Sequence, residues 1–440
     1  MDAAAPVPCC LMGLETTPRG RRIGRALLPL GLVFLAVGIS TAVIFPFLSL
    51  FLSTEVHAGP AKVTVFLVVA PLSGVLVSSL LGRLSDRRRI RRTLLVSAAL
   101  AGLVGSGLTA FVRDYWVLLG LTVTATALAG TMFPQAFAYA RQVLQRDSPG
   151  RAAMGISALR TVFSLAWVAG PPLAAVLLDV GGFTYVYGLA AAMYALAAVV
   201  AIGWLDEIAP AAPATHGEAA THGEAATHGE AAALVEDRIR LVLTIVAFTL
   251  LMCPLTLAVQ ALPLFVRVDL GGDVADAGLI LGLCAALEIP LMLGLGALST
   301  RVPLRRLVLA GAACGVAYYG LAAATTSVGL LYAGQLANAF FIAAVSGLGI
   351  SYVQDMLPGQ PGRASTLFSN TFPIGAVLAG PLFGLAQHFG YRLAYVMTSA
   401  LCLAGLLLLL AVRPDDTTGY RGWRARTGRT DPLTGYRRPA

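Results

Sequence analysis

Apolar residues in this chain come in long unbroken runs, without the one-sided spacing of a surface helix or the alternation of a half-buried strand. A helix that crosses a bilayer needs ~20 mainly apolar residues. Twelve runs meet that length, at approximately 26–52, 62–82, 93–112, 115–143, 151–178, 184–205, 238–265, 274–298, 304–324, 328–355, 361–386 and 390–412. A membrane strand needs only ~10 residues of alternating character. These runs are longer and apolar all round, so they predict helices. The fold class is an all-α membrane protein with twelve transmembrane helices. A polar stretch at 206–237 parts six runs from six, giving halves at 26–205 and 238–412 between tails at 1–25 and 413–440.

Composition sharpens this reading. The chain is 57% hydrophobic and 12% charged, against about 45–50% and 25% in soluble domains. That is too little charge to clothe a soluble enzyme. The net charge of +9 comes from 30 Arg and the single Lys62. Such a balance can mark a nucleic-acid binder, but here the cations sit between apolar runs, where cytoplasmic loops collect them. No nucleic-acid partner is expected. Counted over alternate loops, 26 of the 31 basic residues fall with the two tails, and the opposite loops hold only Lys62, Arg113, Arg267 and Arg392. Both termini are therefore expected in the cytoplasm of a multi-pass plasma-membrane protein. The Arg-rich N-terminus does not read as a cleaved signal, because the apolar run that follows is too long. The six Cys form no disulfide or metal framework.

The 206–237 segment carries three copies of Thr-His-Gly-Glu-Ala-Ala at 215–232. Three His beside three Glu are candidate metal ligands, but no rigid scaffold fixes them, and the segment reads as a low-complexity linker. Elsewhere the halves echo each other. Gly82-Arg-Leu-Ser-Asp86-Arg87, then Arg91-Arg92, recurs 214 residues later as Gly296-Ala-Leu-Ser-Thr300-Arg301, then Arg305-Arg306. Ala169-Gly170-Pro171 recurs 210 residues later as Ala379-Gly380-Pro381. Such matches at equivalent places point to a duplication.

Gly82-x-x-x-Asp86-Arg87 followed by Arg91-Arg92 resembles the loop motif of the major facilitator superfamily, without the usual small Gly and with the final Arg pair one place late. Longer strings are similar to the bacterial sugar efflux transporter family. They include Phe47-Leu-Ser-Leu-Phe-Leu-Ser53, Ser164-Leu-Ala-Trp167-Val-Ala-Gly170-Pro171-Pro172, Leu287-Glu288-Ile-Pro290, Gln335-Leu-Ala-Asn338, Gln354-Asp355-Met-Leu-Pro358 and Ser369-Asn370-Thr371. The resemblance covers nearly the whole chain. It implies two parallel six-helix halves with substrate at their interface, alternating access, and export of sugars or sugar analogues against protons. It also makes Asp86, Arg87, Arg91 and Arg92 candidates for a cytoplasmic gate, beside their plain role in setting topology.

Ionisable residues inside hydrocarbon cost ~2.5–3.5 kcal/mol or more and usually face water or a partner. Two lie well within runs. Arg160 is some eight or nine residues into the fifth, and Glu288 stands near the middle of the eighth. The resemblance sets those two helices side by side, so the pair is expected to share one cavity. Burial favours a neutral acid and a neighbouring cation favours the carboxylate. A pair that joins in one state and parts in another would take up and release a proton, which makes Glu288 and Arg160 the proton-coupling candidates; the alternative is a static salt bridge locking the halves. Gln135, Tyr139, Gln260, Gln335, Asn338, Asn370 and Trp167, with Arg160, form the substrate-binding set. Amides satisfy hydroxyls and an indole stacks on a pyranose face. The alternative for each is hydrogen bonding between helices.

The resulting expectation is a monomeric secondary transporter whose partners are a small sugar, protons and the lipid bilayer. No cofactor is expected, since no Gly-rich Lys-Ser/Thr phosphate loop appears and no metal set is convincing. A multidrug exporter of the same fold is one alternative. A non-transporting membrane receptor or scaffold is another.

Overall fold

The computed structural model describes the backbone at residues 18–87, 90–147, 152–207, 228–357 and 360–412, and side chains from 28 to 412 except 86–89, 147–153, 208–237, 358–359 and 361. Most of the two tails and of the 206–237 segment, with its three repeats, lie outside the described residues. So do the side chains of Asp86 and Arg87.

Among the described residues, eleven helices are long and apolar enough to cross a membrane. They are α1 (Leu28–Thr54), α2 (Pro60–Ser85), α3 (Arg91–Thr109), α4 (Tyr115–Arg146), α5 (Met154–Trp204), α6 (Arg238–Asp269), α7 (Val274–Leu298), α8 (Leu304–Ala324), α9 (Val328–Met356), α10 (Gly362–Phe389) and α11 (Arg392–Ala411). The fifth and sixth predicted runs both fall in α5. Its backbone leaves helical geometry at Gly181 and at Gly182, where φ is +64°, a conformation that a side chain would strain.

Local chemistry sets the helix starts. Asp114 accepts from the Trp116 and Val117 amides at 3.0 Å. Asp273 and Asp276 form a reciprocal capping box at the start of α7. Ser327 accepts from the Gly329 amide to open α9. Pro46 lacks an N–H and sits in a 3₁₀ turn, Phe45–Phe47, within α1. Single π-helical turns interrupt α4 at Thr122–Thr126 and α9 at Ala343–Gly347, and a third ends α6 at Phe265–Asp269. Exposed apolar stripes recur every three or four residues, as Leu72, Leu76 and Leu80 on α2 and Leu100, Val104 and Leu108 on α3. Such outward faces suit hydrocarbon.

Residues 208–227, outside the described residues, divide the helices by sequence into α1–α5 and α6–α11, the halves of the chain. One end of the bundle carries the turn at Glu55 together with Asp114, Gly271–Asp273 and Gly390; the other carries Arg91, the turn at Thr300–Pro303 and Gln360. The halves meet closely at the Glu55 end. A Cβ on Gly278 of α7 would lie 2.6 Å from the Pro171 carbonyl oxygen of α5, and one on Gly282 2.7 Å from that of Val168. On the opposite flank a Cβ on Gly380 of α10 would lie 2.6 Å from Val68 of α2. Without side chains these backbones approach as membrane interfaces favour. Toward the Arg91 end each half packs on itself. Met132–Asp147 lies on helices of its own half, and Leu348–Met356 and Pro361–Ser369 lie on each other and on α6. The close approaches between the halves that the glycines mark thus run along α5–α7 and α2–α10.

Matching turns anchor each half. Arg92 donates to the Ala201 and Ile202 carbonyls at 3.3 and 2.6 Å, and Arg305 to Leu409, Leu410 and Val412 at 3.0–3.3 Å. Cations at a helix C-terminus satisfy its last carbonyls and its dipole.

Candidate functional site

Helix geometry decides where Arg160 and Glu288 point. A helix turns about 100° per residue. On α5 the exposed apolar residues Leu165, Leu173, Val176 and Val180 share one face, and Arg160 lies about 180° from its centre. It falls between the face that touches α7 (Pro171, Pro172, Ala175) and the face that touches α1 (Ala166, Gly170). On α7, Leu279, Leu283 and Leu293 mark the exposed face, and Glu288 lies opposite. It falls on the side that touches α9, one turn from Cys284 and one turn from Met292, with Gly278 and Gly282, which touch α5, about 100° away. Both side chains thus point inward, away from the lipid-type faces.

Depth agrees as well. Arg160 is ~16 Å along α5 from Pro171, and Glu288 is ~9–15 Å along α7 from the glycines packed there, at about 1.5 Å per residue. Arg160 is exposed and Glu288 half-buried, and they form no ion pair with each other in this state.

The buried amides of α9 form a chain. Gln335 donates through Nε2 to the Leu331 carbonyl at 2.9 Å and to the Tyr318 hydroxyl of α8 at 2.7 Å. Asn338 donates through Nδ2 to Gln335 Oε1 at 3.1 Å and to Cys284 Sγ of α7 at 3.3 Å. Cys284 is one turn before Glu288, so the chain ends beside the acid. Tyr318 and Cys284 were not among the predicted residues. A tyrosine and a thiol inside apolar runs look like packing until the facing helix is known.

The remaining candidates divide. Trp167 is half-buried, edge-on to Phe45 of α1 at 6.1 Å between ring centroids. Gln135 is buried and its Oε1 has no partner. Asn370 is exposed at the joint between two segments of α10. Tyr139 is occupied elsewhere: its hydroxyl donates to the Asp206 carbonyl at 2.9 Å and accepts from the Asp206 amide at 3.0 Å, which ties down the chain after α5. Gln260 joins the halves. Its Nε2 donates to the Phe45 carbonyl at 2.7 Å, its Oε1 accepts from the Ser49 amide at 3.2 Å, and the Ser49 hydroxyl donates to its backbone carbonyl. Of the gate candidates, Arg91 is half-buried, and the Arg92 guanidinium bonds within its own half as described above.

A second polar place was not anticipated. A cleft of about 880 Å³ opens at the Glu55 end between the halves, lined by Thr54, Glu55, Asp179, Arg267 and Asp273 among others. Glu55 pairs with Arg113 at 3.0 Å. The signal was in the sequence as acids and a cation just beyond the ends of apolar runs, but only folding gathers them.

The described residues thus form an all-helical bundle with eleven candidate membrane spans, in which Arg160 and Glu288 stand opposite the exposed apolar faces of α5 and α7. The family model of the Major Facilitator Superfamily matches residues 30–330 and 307–438, and the chain belongs to that superfamily of transporters. It is 35% identical over 378 residues to sugar efflux transporter A of Dickeya chrysanthemi, covering 86% of this chain and 93% of that one. It is 33% identical over 384 residues to sugar efflux transporter A of Escherichia coli (strain K12), covering 87% and 95%. The crystal structure of the nucleoside transporter NupG superposes with a TM-score of 0.72 at 12% identity, over 88% of this chain and 98% of the other.

Proposed function

We propose that this protein exports sugars or sugar analogues across the plasma membrane in exchange for protons. The observation that carries the reading is the placement of Arg160 and Glu288 on the inward faces of α5 and α7, on opposite sides of the seam between the halves. A parted pair leaves the acid free to take a proton, and closing the halves brings the guanidinium toward it and favours release. Arg160, Trp167, Gln135, Asn338 and Asn370 supply the sugar contacts, with Gln335 holding Asn338; Tyr139 and Gln260 belong to the frame in this state. Sugar efflux transporters among the relatives support the substrate class.

On this reading α5 is two spans. A straight helix of 51 residues would reach ~76 Å, against ~30 Å of hydrocarbon. A division at Gly181–Gly182 gives twelve spans. Both termini then lie at the Arg91 end, and the Arg excess there assigns it to the cytoplasm. The present state is inward-open, and Asp86, Arg87 and Arg91 close that end in the opposite state. The working unit is the monomer.

The test is flux in proteoliposomes loaded with labelled hexosides under an imposed pH difference. Sugar should move opposite to the proton flow. The Glu288→Gln variant should keep sugar exchange at equal pH while losing the response to the gradient. Gradient-driven flux unchanged in Glu288→Gln would overturn the coupling role. Movement of lipophilic cations instead of sugars would make the protein a drug exporter, and no flux of either kind would favour a receptor or scaffold.

A further inference from the structure

The amide chain of α9 has a fixed polarity, and its free end is an acceptor. A backbone carbonyl can only accept. The bond to the Leu331 carbonyl therefore puts the NH₂ of Gln335 on that side, and its second N–H goes to Tyr318. Gln335 must then present Oε1 to Asn338. That in turn fixes the Asn338 NH₂ toward Gln335 and Cys284. The oxygen of Asn338 is left on the other side. Asn338 is 9% exposed, and its Oδ1 is buried without a partner. Rotating the amide to donate there would set oxygen against oxygen at Gln335 and break the bond to it.

A buried bare carbonyl costs stability until something donates to it. We infer that Asn338 Oδ1 is a preset acceptor for one hydroxyl of the transported molecule, with Gln335 as the positioning residue that holds its orientation and Tyr318 and the Leu331 carbonyl holding Gln335. This rests on the sugar-export reading and deepens it. At one ring position the carrier requires a hydroxyl that donates. A fluorine or a methoxy oxygen there offers only lone pairs and is rejected. Cys284, one turn from Glu288, places this contact beside the acid.

The experiment is exchange in proteoliposomes with methyl β-galactoside and its four monodeoxyfluoro derivatives, in wild type, Asn338→Leu, Asn338→Ser and Gln335→Leu. One derivative should be carried about three- to tenfold less well than the parent by wild type, the size of a single neutral hydrogen bond. That ratio should fall within about twofold of unity in Asn338→Leu, which has the same shape and no acceptor. Asn338→Ser perturbs packing differently, and its hydroxyl can donate as well as accept, so it should also carry the fluorinated sugar. Gln335→Leu should narrow the ratio by letting the amide turn. Parent flux with no derivative penalised in wild type, or a penalty of the same size in both Asn338 variants, overturns the subsite and leaves sugar export standing. If wild type carries neither methyl β-galactoside, methyl α-glucoside nor lactose, the export reading itself falls, and this inference with it.

Discussion

One methyl group at Gly282 should tilt the balance between the states of this transporter. A Cβ there would sit 2.7 Å from the Val168 carbonyl oxygen and 2.7 Å from Cγ of Pro172. Neither neighbour can swing away, since one is helix backbone and the other a proline ring. Ordinary contact needs several tenths of an ångström more, so α5 and α7 must separate. Overpacking of this kind costs about 1–3 kcal/mol. The cost exists only where the halves are closed at the Glu55 end, so the ratio of states should move by about 5- to 150-fold toward opening there. The assay is a spin-label distance distribution between Asp179→Cys and Ala275→Cys, which face each other across the cleft, with the six native cysteines replaced. Gly282→Ala should enlarge the long-distance population. Gly294→Ala is the control, because a Cβ on that glycine of the same helix meets nothing within 4 Å. Superimposable distributions for Gly282→Ala and the control would refute the reasoning.

Two other residues separate frame from site. Gln260→Leu removes both amide bonds to α1 and leaves the Phe45 carbonyl and Ser49 amide without that partner. Thermal unfolding in detergent should show a loss of about 1–3 kcal/mol, and the same label pair should report opening; unchanged distances would deny the strut role. Tyr139→Phe deletes two bonds to Asp206 and should cost about 1–2 kcal/mol with sugar flux per folded molecule unchanged. Lost flux at unchanged stability would return Tyr139 to the substrate.

The architecture was legible because run length in hydrocarbon is a direct reading of sequence. The gap expected between 178 and 184 holds Gly181 and Gly182, where α5 leaves helical geometry. Arg160 and Glu288 stand out in the sequence for a related reason, since charge in hydrocarbon is costly, and their role remains the proposal made above. The amides were legible as polar groups but not in role. Gln260, Gln335 and Tyr139 look alike in sequence as polar side chains in apolar runs. Their roles depend on which group faces them from another helix: a turn in α1 for Gln260, a tyrosine of α8 for Gln335, a chain end for Tyr139.

The duplication explains which polar groups are structural. Phe51 and Phe265 are 214 residues apart, as are the paired loop motifs, and each carries an arginine over its ring: Arg113 at 5.3 Å and Arg392 at 5.5 Å. Arg113 and Arg392 also donate to the last carbonyls of α3 and α8. Arg92 and Arg305, from matching turns, hold the final helix of each half. The matching phenylalanines and turns therefore hold helix ends through arginines, although Arg113 and Arg392, 279 residues apart, come from loops that do not correspond. The two inward ionisable residues are not repeated. At the same 214-residue offset Glu288 corresponds to Gly74, and at the 210-residue offset of the Ala-Gly-Pro echo Arg160 corresponds to Asn370. A scaffold built twice needs its anchors twice, whereas a carrier with one proton site needs one acid and one base. Arg160 and Glu288 are thus two of the places where the internal symmetry breaks, and there the transport chemistry is proposed.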